Sequence, residues 1–234
     1  MKTSKIIIVI QQVGGVGKTF IATHLLHMLE HMGFRFTAVD FDSNGKAGII
    51  NRMLGSTARL LPPTIESVLT GDNSEFGKLL TQAMQAGNNY MIDCGANYAD
   101  KIYFFFQSRP GLLEELAANG VSITVVIPVN SVRKGQTLFP IIAKLIPGAT
   151  AIQVKISGNY QKFEVPPHDP DLCVNLEWAN EDAWRIYQDK AMTAFQLATT
   201  LQPELLFEAD FGKAYAEIFT NSFSKVKNHL IPHS

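Results

Sequence analysis

The sequence predicts an α/β fold, doubly wound around a mainly parallel sheet and carrying a helical C-terminal extension. Three observations point to it. Short runs of β-branched residues such as Lys5–Gln11 and Val121–Val129 are apolar at nearly every position, as strands buried on both faces must be. Segments with helical apolar spacing alternate with these runs, the pattern of strand–helix–strand units joined by right-handed crossovers. Glycines stand where each segment should stop, as at Gly33 and Gly87.

The elements follow in order. Lys5–Gln11 is the first strand. Thr19–Met32 is a helix on the spacing of Ile21, Leu25, Leu26, Met28 and Leu29, closed by Gly33. Phe36–Phe41 is a second strand. Gly48–Leu54 and Ile65–Leu69 are helical pieces separated by Pro62-Pro63, and Phe76–Ala86 is a helix ended by Gly87. Tyr90–Ile92 is a strand running into Asp93, Leu112–Ala118 a short helix, Val121–Val129 a strong strand, Thr137–Leu145 a helix and Ala151–Ile156 a further strand. Beyond Gly158 the pattern changes. Pro166, Pro167 and Pro170 mark a loop, and from about Glu181 the chain reads as helix, broken near Pro203. The expectation is one domain over residues 1–234, with a core at 1–160 and a loop plus helices at 161–234 packed on it.

Composition narrows the functional classes. Hydrophobic residues make up 46% of the 234 and charged residues 18%, enough to bury a sizeable core and exclude wholesale disorder. Twenty basic against twenty-one acidic residues leave a net charge of -1, which argues against an evenly basic nucleic-acid binder. Cys94 and Cys173 cannot make a disulfide framework, and no CxxC or Cys/His ligand spacing occurs; a reduced compartment is the default. The apolar run Ile6–Ile10 is too short for a signal-peptide core, and nowhere are there roughly 18 uninterrupted apolar residues. A soluble, cytoplasmic protein is expected.

The informative segment is Lys5-Ile-Ile-Ile-Val-Ile-Gln-Gln-Val-Gly-Gly-Val-Gly-Lys-Thr19, which sets a glycine-rich turn between a strand and a helix. Gly14, Gly15 and Gly17 lack Cβ atoms, so main-chain amides there can close around phosphate oxygens. The positive end of the helix supports the same anion, Lys18 reaches the outer phosphates, and the Thr19 hydroxyl suits Mg²⁺. The nucleotide-contacting stretch is thus Gly14, Gly15, Val16, Gly17, Lys18, Thr19 and Phe20, in a fold of the P-loop NTPase type. In the general pattern GxxxxGK[ST] the first glycine falls on Gln12, so only the second half is intact. Asp40 and Asp42 end the second strand and Asp93 the third. One aspartate after a strand is ordinarily a turn or cap. Several at carboxyl ends of parallel strands, beside a phosphate loop, read instead as ligands for a divalent ion.

Together, Gly14–Thr19, Val39-Asp-Phe-Asp42 and Asp93 resemble the ParA/MinD group of deviant Walker-motif P-loop ATPases. Asp93-Cys-Gly-Ala-Asn97 and Val126-Ile-Pro-Val-Asn130 look, within that group, like plasmid stability and conjugal-transfer proteins of the StbB/TraL kind. The resemblance covers roughly residues 1 to 160. It implies ATP and Mg²⁺ as cofactors, with Lys18 and Thr19 on phosphate and metal. Asp40 would support the metal, Asp42 position the attacking water, and Asp93 act as the Walker B carboxylate, with Gly95 in the second switch. Base contacts would come from Asn159 and Pro166–His168. The implied partners are a second copy of the chain on ATP binding, a plasmid-encoded DNA-binding adaptor and DNA itself. The group's signature lysine falls on Val13, which carries no charge. Another cation, such as Arg109, Arg133 or Lys134, then takes its place, or hydrolysis is slow without a partner. Two alternatives stand beside this reading: a non-hydrolysing nucleotide-dependent scaffold, and a P-loop transferase similar to dethiobiotin synthetase.

Other features are read as packing first. Ile102–Phe106 is unusually aromatic and fits a core segment, with a dimer or partner surface as the alternative. Phe211, Ala214, Tyr215, Ile218 and Phe219 recur at helical spacing and fit a helix packed on the sheet, with a membrane-surface helix as the alternative. Lys213, Lys225 and Lys227 give weak support for DNA contact. His24, His27 and His31 share helical spacing without other ligand types nearby, which favours surface residues over a metal site.

Overall fold

The computed structural model describes residues 3–12, 14–41, 59–60, 74–130, 148–157, 169–177, 189–202 and 205–232. The expected helices at Gly48–Leu54, Ile65–Leu69 and Thr137–Leu145, and the loop at Pro166-Pro167, lie outside them.

Among the described residues seven strands form one sheet: β1 (Ser4–Val9), β2 (Thr37–Phe41), β3 (Arg59–Leu60), β4 (Tyr90–Cys94), β5 (Val121–Asn130), β6 (Thr150–Ser157) and β7 (Cys173–Glu177). Their order across the sheet is β3-β2-β4-β1-β5-β6-β7, and every pairing is parallel. The doubly wound parallel fold expected from the alternating pattern is the one observed. β1 lies in the middle, bonded to β4 on one side and β5 on the other, so the chain leaves it in two directions. That reversal opens a crevice beyond the carboxyl ends of the central strands.

Helices cover both faces. On one lie α1 (Lys18–His31), α5 (Ala194–Ala198) and α6 (Leu206–Ser222); on the other α2 (Glu75–Ala86), α3 (Ala99–Gln107) and α4 (Leu112–Ala118). The strand period of two divides β1 between the two cores: Ile7 and Val9 join the α1 side, Ile6 and Ile8 the α2 side, and all four are fully buried. Local signals set the helix ends. Ser74 caps α2 by accepting from the Gly77 amide at 3.0 Å, and Gly87 ends it at φ +70°. Gly33, at φ +85°, follows α1.

Two elements differ from the sequence reading. α3 is a helix that buries Ile102, Phe105 and Phe106 against α2 and leaves Phe104 59% exposed. The intervening Tyr103 and Phe104 fill in the apolar spacing, and a five-residue apolar run has no visible period. The sequence reading places only loop and helix after residue 160, whereas Cys173–Glu177 is a strand at the sheet edge. Val174 and Leu176 point into the α1-side core with no exposed surface.

The C-terminal helices buttress α1. The stripe expected to pack on the sheet meets α1 and α5: Tyr215 and Phe219 are buried beside Phe20 and His24, while Ala214 and Ile218 face outward. α5 and α6 approach so closely at Gly212 that a Cβ there would lie 2.8 Å from the Ala198 nitrogen and 2.9 Å from the Ala194 oxygen. His24 is not a surface residue. Its Nδ1 lies 3.0 Å from the Phe20 carbonyl and its Nε2 accepts from the Ala194 amide at 3.2 Å, which places the single ring proton on Nδ1. His27 Nδ1 meets the Thr193 hydroxyl at 2.8 Å. Thr193 and Gln196 form a capping box at the start of α5, so both histidines dock on that cap.

Burial pushes the imidazoles of His24 and His27 below their ordinary 6.5, to about 3 and about 4. His27 is therefore neutral at pH 7, and its 3.9 Å approach to Glu30 is not an ion pair there. A histidine depressed on folding binds its proton more tightly when unfolded. The stability it contributes is complete above about pH 6.5 and is lost as the pH falls toward the folded value. The urea midpoint should drop as the pH falls from about 6.5 to 4, and the imidazole resonances of His24 and His27 should remain those of neutral rings at pH 6.

Candidate functional site

The chain leaving β1 reaches the crevice at Gln11 and turns back into α1 through the glycines. Gly14 and Gly15 are exposed, and a Cβ on either would meet nothing within 4 Å, so the hollow above them is open. Gly15 and Gly17 adopt φ +71° and +90°, conformations that side-chain-bearing residues rarely take. At Gly17 a Cβ would also come within 3.0 Å of Ile156 Cδ1. Val16, 1% exposed, anchors the turn in the core.

Gly17 is the N-cap of α1 and brings no side chain to cap it. The first intrahelical bond runs from the Ile21 amide to the Gly17 carbonyl at 2.9 Å, so the amides of Lys18, Thr19 and Phe20 precede that ladder at the positive end of a fourteen-residue helix. An open glycine hollow over a helix start is a fitting cradle for an anion. The Phe20 ring is turned away, stacked on His24 at 3.8 Å, and like Val16 it has only main chain to offer a ligand.

The carboxylates come from the neighbouring strands. Asp40 and Asp93 are register partners on β2 and β4, and Val9 of β1 is aligned with Asp93. Ala38 and Met91, two residues earlier on each strand, pack on the α1 side, so both acids share that face. They are 5% and 4% exposed, about one strand spacing (~4.8 Å) apart. Two such buried carboxylates favour positive charge beside them. The Thr19 hydroxyl donates to Asp93 Oδ2 at 2.7 Å, and Lys18, itself buried, stands on the same first turn of α1. This donor set suits a hard divalent cation, with phosphate and water completing the shell. Among the described residues no group of three or more His, Cys, Asp and Glu side chains forms a metal site of its own.

Of the residues singled out from the sequence, the structure brings together Gly14, Gly15, Gly17, Lys18, Thr19, Asp40 and Asp93. Asp42, Asn159 and Pro166 lie outside the described residues, as do Val13, Arg133 and Lys134. Arg109 follows α3 and lies over the Phe105 ring at 4.0 Å. The sequence reading passed over Gln11 and Asp100. Gln11, fully buried, donates from Nε2 to the Pro128 carbonyl at 3.1 Å, and Asp100 accepts from the Gln12 side chain. A polar pair closing an apolar strand is the one signal that marked the first; nothing local marked the second.

Fold and crevice together define a class: α/β proteins that hold a phosphorylated ligand on a glycine loop at the carboxyl end of a parallel sheet. Residues 7–154 match the CobQ/CobB/MinD/ParA nucleotide-binding domain, and the chain belongs to that family of P-loop proteins. Among solved structures it is similar to cobyrinic acid a,c-diamide synthase from Mycobacterium smegmatis, determined with bound ADP and magnesium. The identity is 14%, the match covers 80% of this chain and 96% of that one, and the TM-score is 0.48. No curated protein matches the sequence. Among the described residues no helix is long and apolar enough to cross a membrane.

Thr19→Val keeps the volume of the side chain and removes the hydroxyl that Asp93 accepts. The buried carboxylate loses one donor, and the chain should lose about 1–3 kcal/mol of stability, read as a lower urea midpoint at unchanged m-value.

Proposed function

We propose that this chain is a Mg²⁺-ATP-binding ATPase that works as a nucleotide-dependent dimerisation switch in plasmid partition, plasmid stability or conjugative transfer, allied to StbB/TraL-like proteins and cytoplasmic. The observation that supports it best is the convergence of three independent segments. The open glycine hollow leads into α1, the Thr19 hydroxyl is bonded to Asp93, and Asp40 lies in register beside Asp93.

The residues divide the work. Amides at the start of α1 and the Lys18 ammonium receive phosphate oxygens. Thr19 and Asp93 hold the cation, directly or through water, and Asp40 adds negative charge behind it. The bound nucleotide contributes a phosphoanhydride whose cleavage changes the charge this crevice must balance. Asp42 in the first switch orients water, Gly95 gives the second switch its freedom, and Asn159 and Pro166 contact the base. Because position 13 is valine, one chain lacks the cation that its relatives offer across a dimer. A cation supplied in trans is worth about 10³–10⁵ in phosphoryl-transfer rate, so turnover should be slow until a partner supplies one. That same valine favours, as a second reading, a scaffold that binds nucleotide without hydrolysing it. The partners proposed are a second copy of the chain, a DNA-binding adaptor and, through either, plasmid DNA.

Lys18→Ala removes a charge-assisted contact worth about 1.5–3 kcal/mol and should weaken Mg²⁺-ADP about ten- to hundredfold by calorimetry. Sedimentation with a non-hydrolysable ATP analogue should show dimers that ADP does not support, and phosphate release should be slow for the chain alone. Unchanged affinity in Lys18→Ala removes the assignment, and partner-independent brisk turnover contradicts the slow-switch reading.

A further inference from the structure

Resting on the nucleotide-binding reading above, we propose that Gln12 is the positioning residue of the phosphate loop and that it acts through Asp100. Gln12 occupies the place of the first glycine in the general motif, and its side chain is engaged: Nε2 donates to Asp100 Oδ1. Asp100 belongs to the first turn of α3, where the positive end of the helix favours a carboxylate, and the bond is charge-assisted. The main chain of Gln12 is held as well. Its amide donates to Gln11 Oε1 at 3.0 Å, and Gln11 in turn donates to the Pro128 carbonyl of β5 at 3.1 Å.

The two glutamines thus fasten the chain leaving β1 to β5 on one side and α3 on the other. At the far foot of the loop, Thr19 is fastened to Asp93. Between these feet lie Gly14 and Gly15, where no side chain can grip a neighbour. A glycine loop loses the most backbone freedom on closing around a ligand, so anchoring its ends in advance lowers the cost of binding. Asp93 and Asp100 belong to one continuous segment, the end of β4 and the start of α3. Both feet of the loop therefore touch that segment. Asp100 is exposed and Gln12 half-exposed, so the bond adds little to global stability and its effect falls on ligand affinity.

Calorimetric titration of the full chain with Mg²⁺-ADP tests this. Gln12→Ala and Asp100→Ala should each bind about three- to tenfold more weakly, and the double variant no more weakly than either single one, with melting temperatures within about 2 °C of wild type. Asp100→Asn, whose amide oxygen still accepts, should restore most of the affinity. Gln12→Gly, which completes the general motif, should bind as weakly as Gln12→Ala. Wild-type affinity in Gln12→Ala, tighter binding by Gln12→Gly, or additive losses in the double variant would overturn the role given to Gln12 while leaving the nucleotide site in place. A wild-type chain that takes up no Mg²⁺-ADP overturns the nucleotide reading itself, and this inference with it.

Discussion

A strand with both faces buried has no face left for chemistry, and the whole arrangement of this protein follows from that constraint on β1. Ile6, Ile7, Ile8 and Val9 are packed on both sides, so only the carboxyl end of the strand meets a ligand. Parallel pairing then brings the ends of β2 and β4 to the same level. That is why Asp40 and Asp93, about fifty residues apart in the chain, become neighbours. The turn out of β1 must fold back at once to cover the sheet with α1. Glycines at φ +71° and +90° permit a reversal this tight and leave the amides at the start of α1 facing the crevice.

The helix that carries Lys18 and Thr19 is held from behind. Phe20 and His24 belong to an aromatic cluster completed by Phe195, Tyr215 and Phe219, all from the C-terminal part of the chain. His24 adds direction to this packing, donating toward the Phe20 carbonyl and accepting from the first amide of α5. A neutral, fully bonded imidazole costs little to bury, whereas its protonated form would lose the acceptor that α5 needs. The last third of the chain thus buttresses the first turns of α1 from behind.

Within the described residues the glycine turn and the acidic strand ends beside it were legible in the sequence, while two elements around them were not. Gly14, Gly15, Gly17, Lys18 and Thr19 are adjacent in the chain, and their chemistry is local, so motif and context sufficed. Asp40 and Asp93 were legible because a carboxylate at the end of a β-branched run is a visible pattern. α3 was hidden because Tyr103 and Phe104 erase the period that would mark its buried side. β7 was hidden because its five residues sit beyond a proline-rich stretch, and only the edge of β6 gives them a partner. Two of the three histidines, His24 and His27, were misleading for the opposite reason. Their spacing was plain, but their environment comes from Thr193 and Ala194, more than 160 residues away.

The amino-acid sequence by itself determined the parallel α/β class, the glycine turn and the types of group that gather round it, because each rests on period, composition or near-neighbour chemistry. Only the tertiary structure decided which groups meet. Thr19 on Asp93, Asp40 beside Asp93, Gln12 on Asp100 and His24 under α5 are contacts between segments far apart in the chain. Strand register and helix packing select such contacts, and no local preference encodes either.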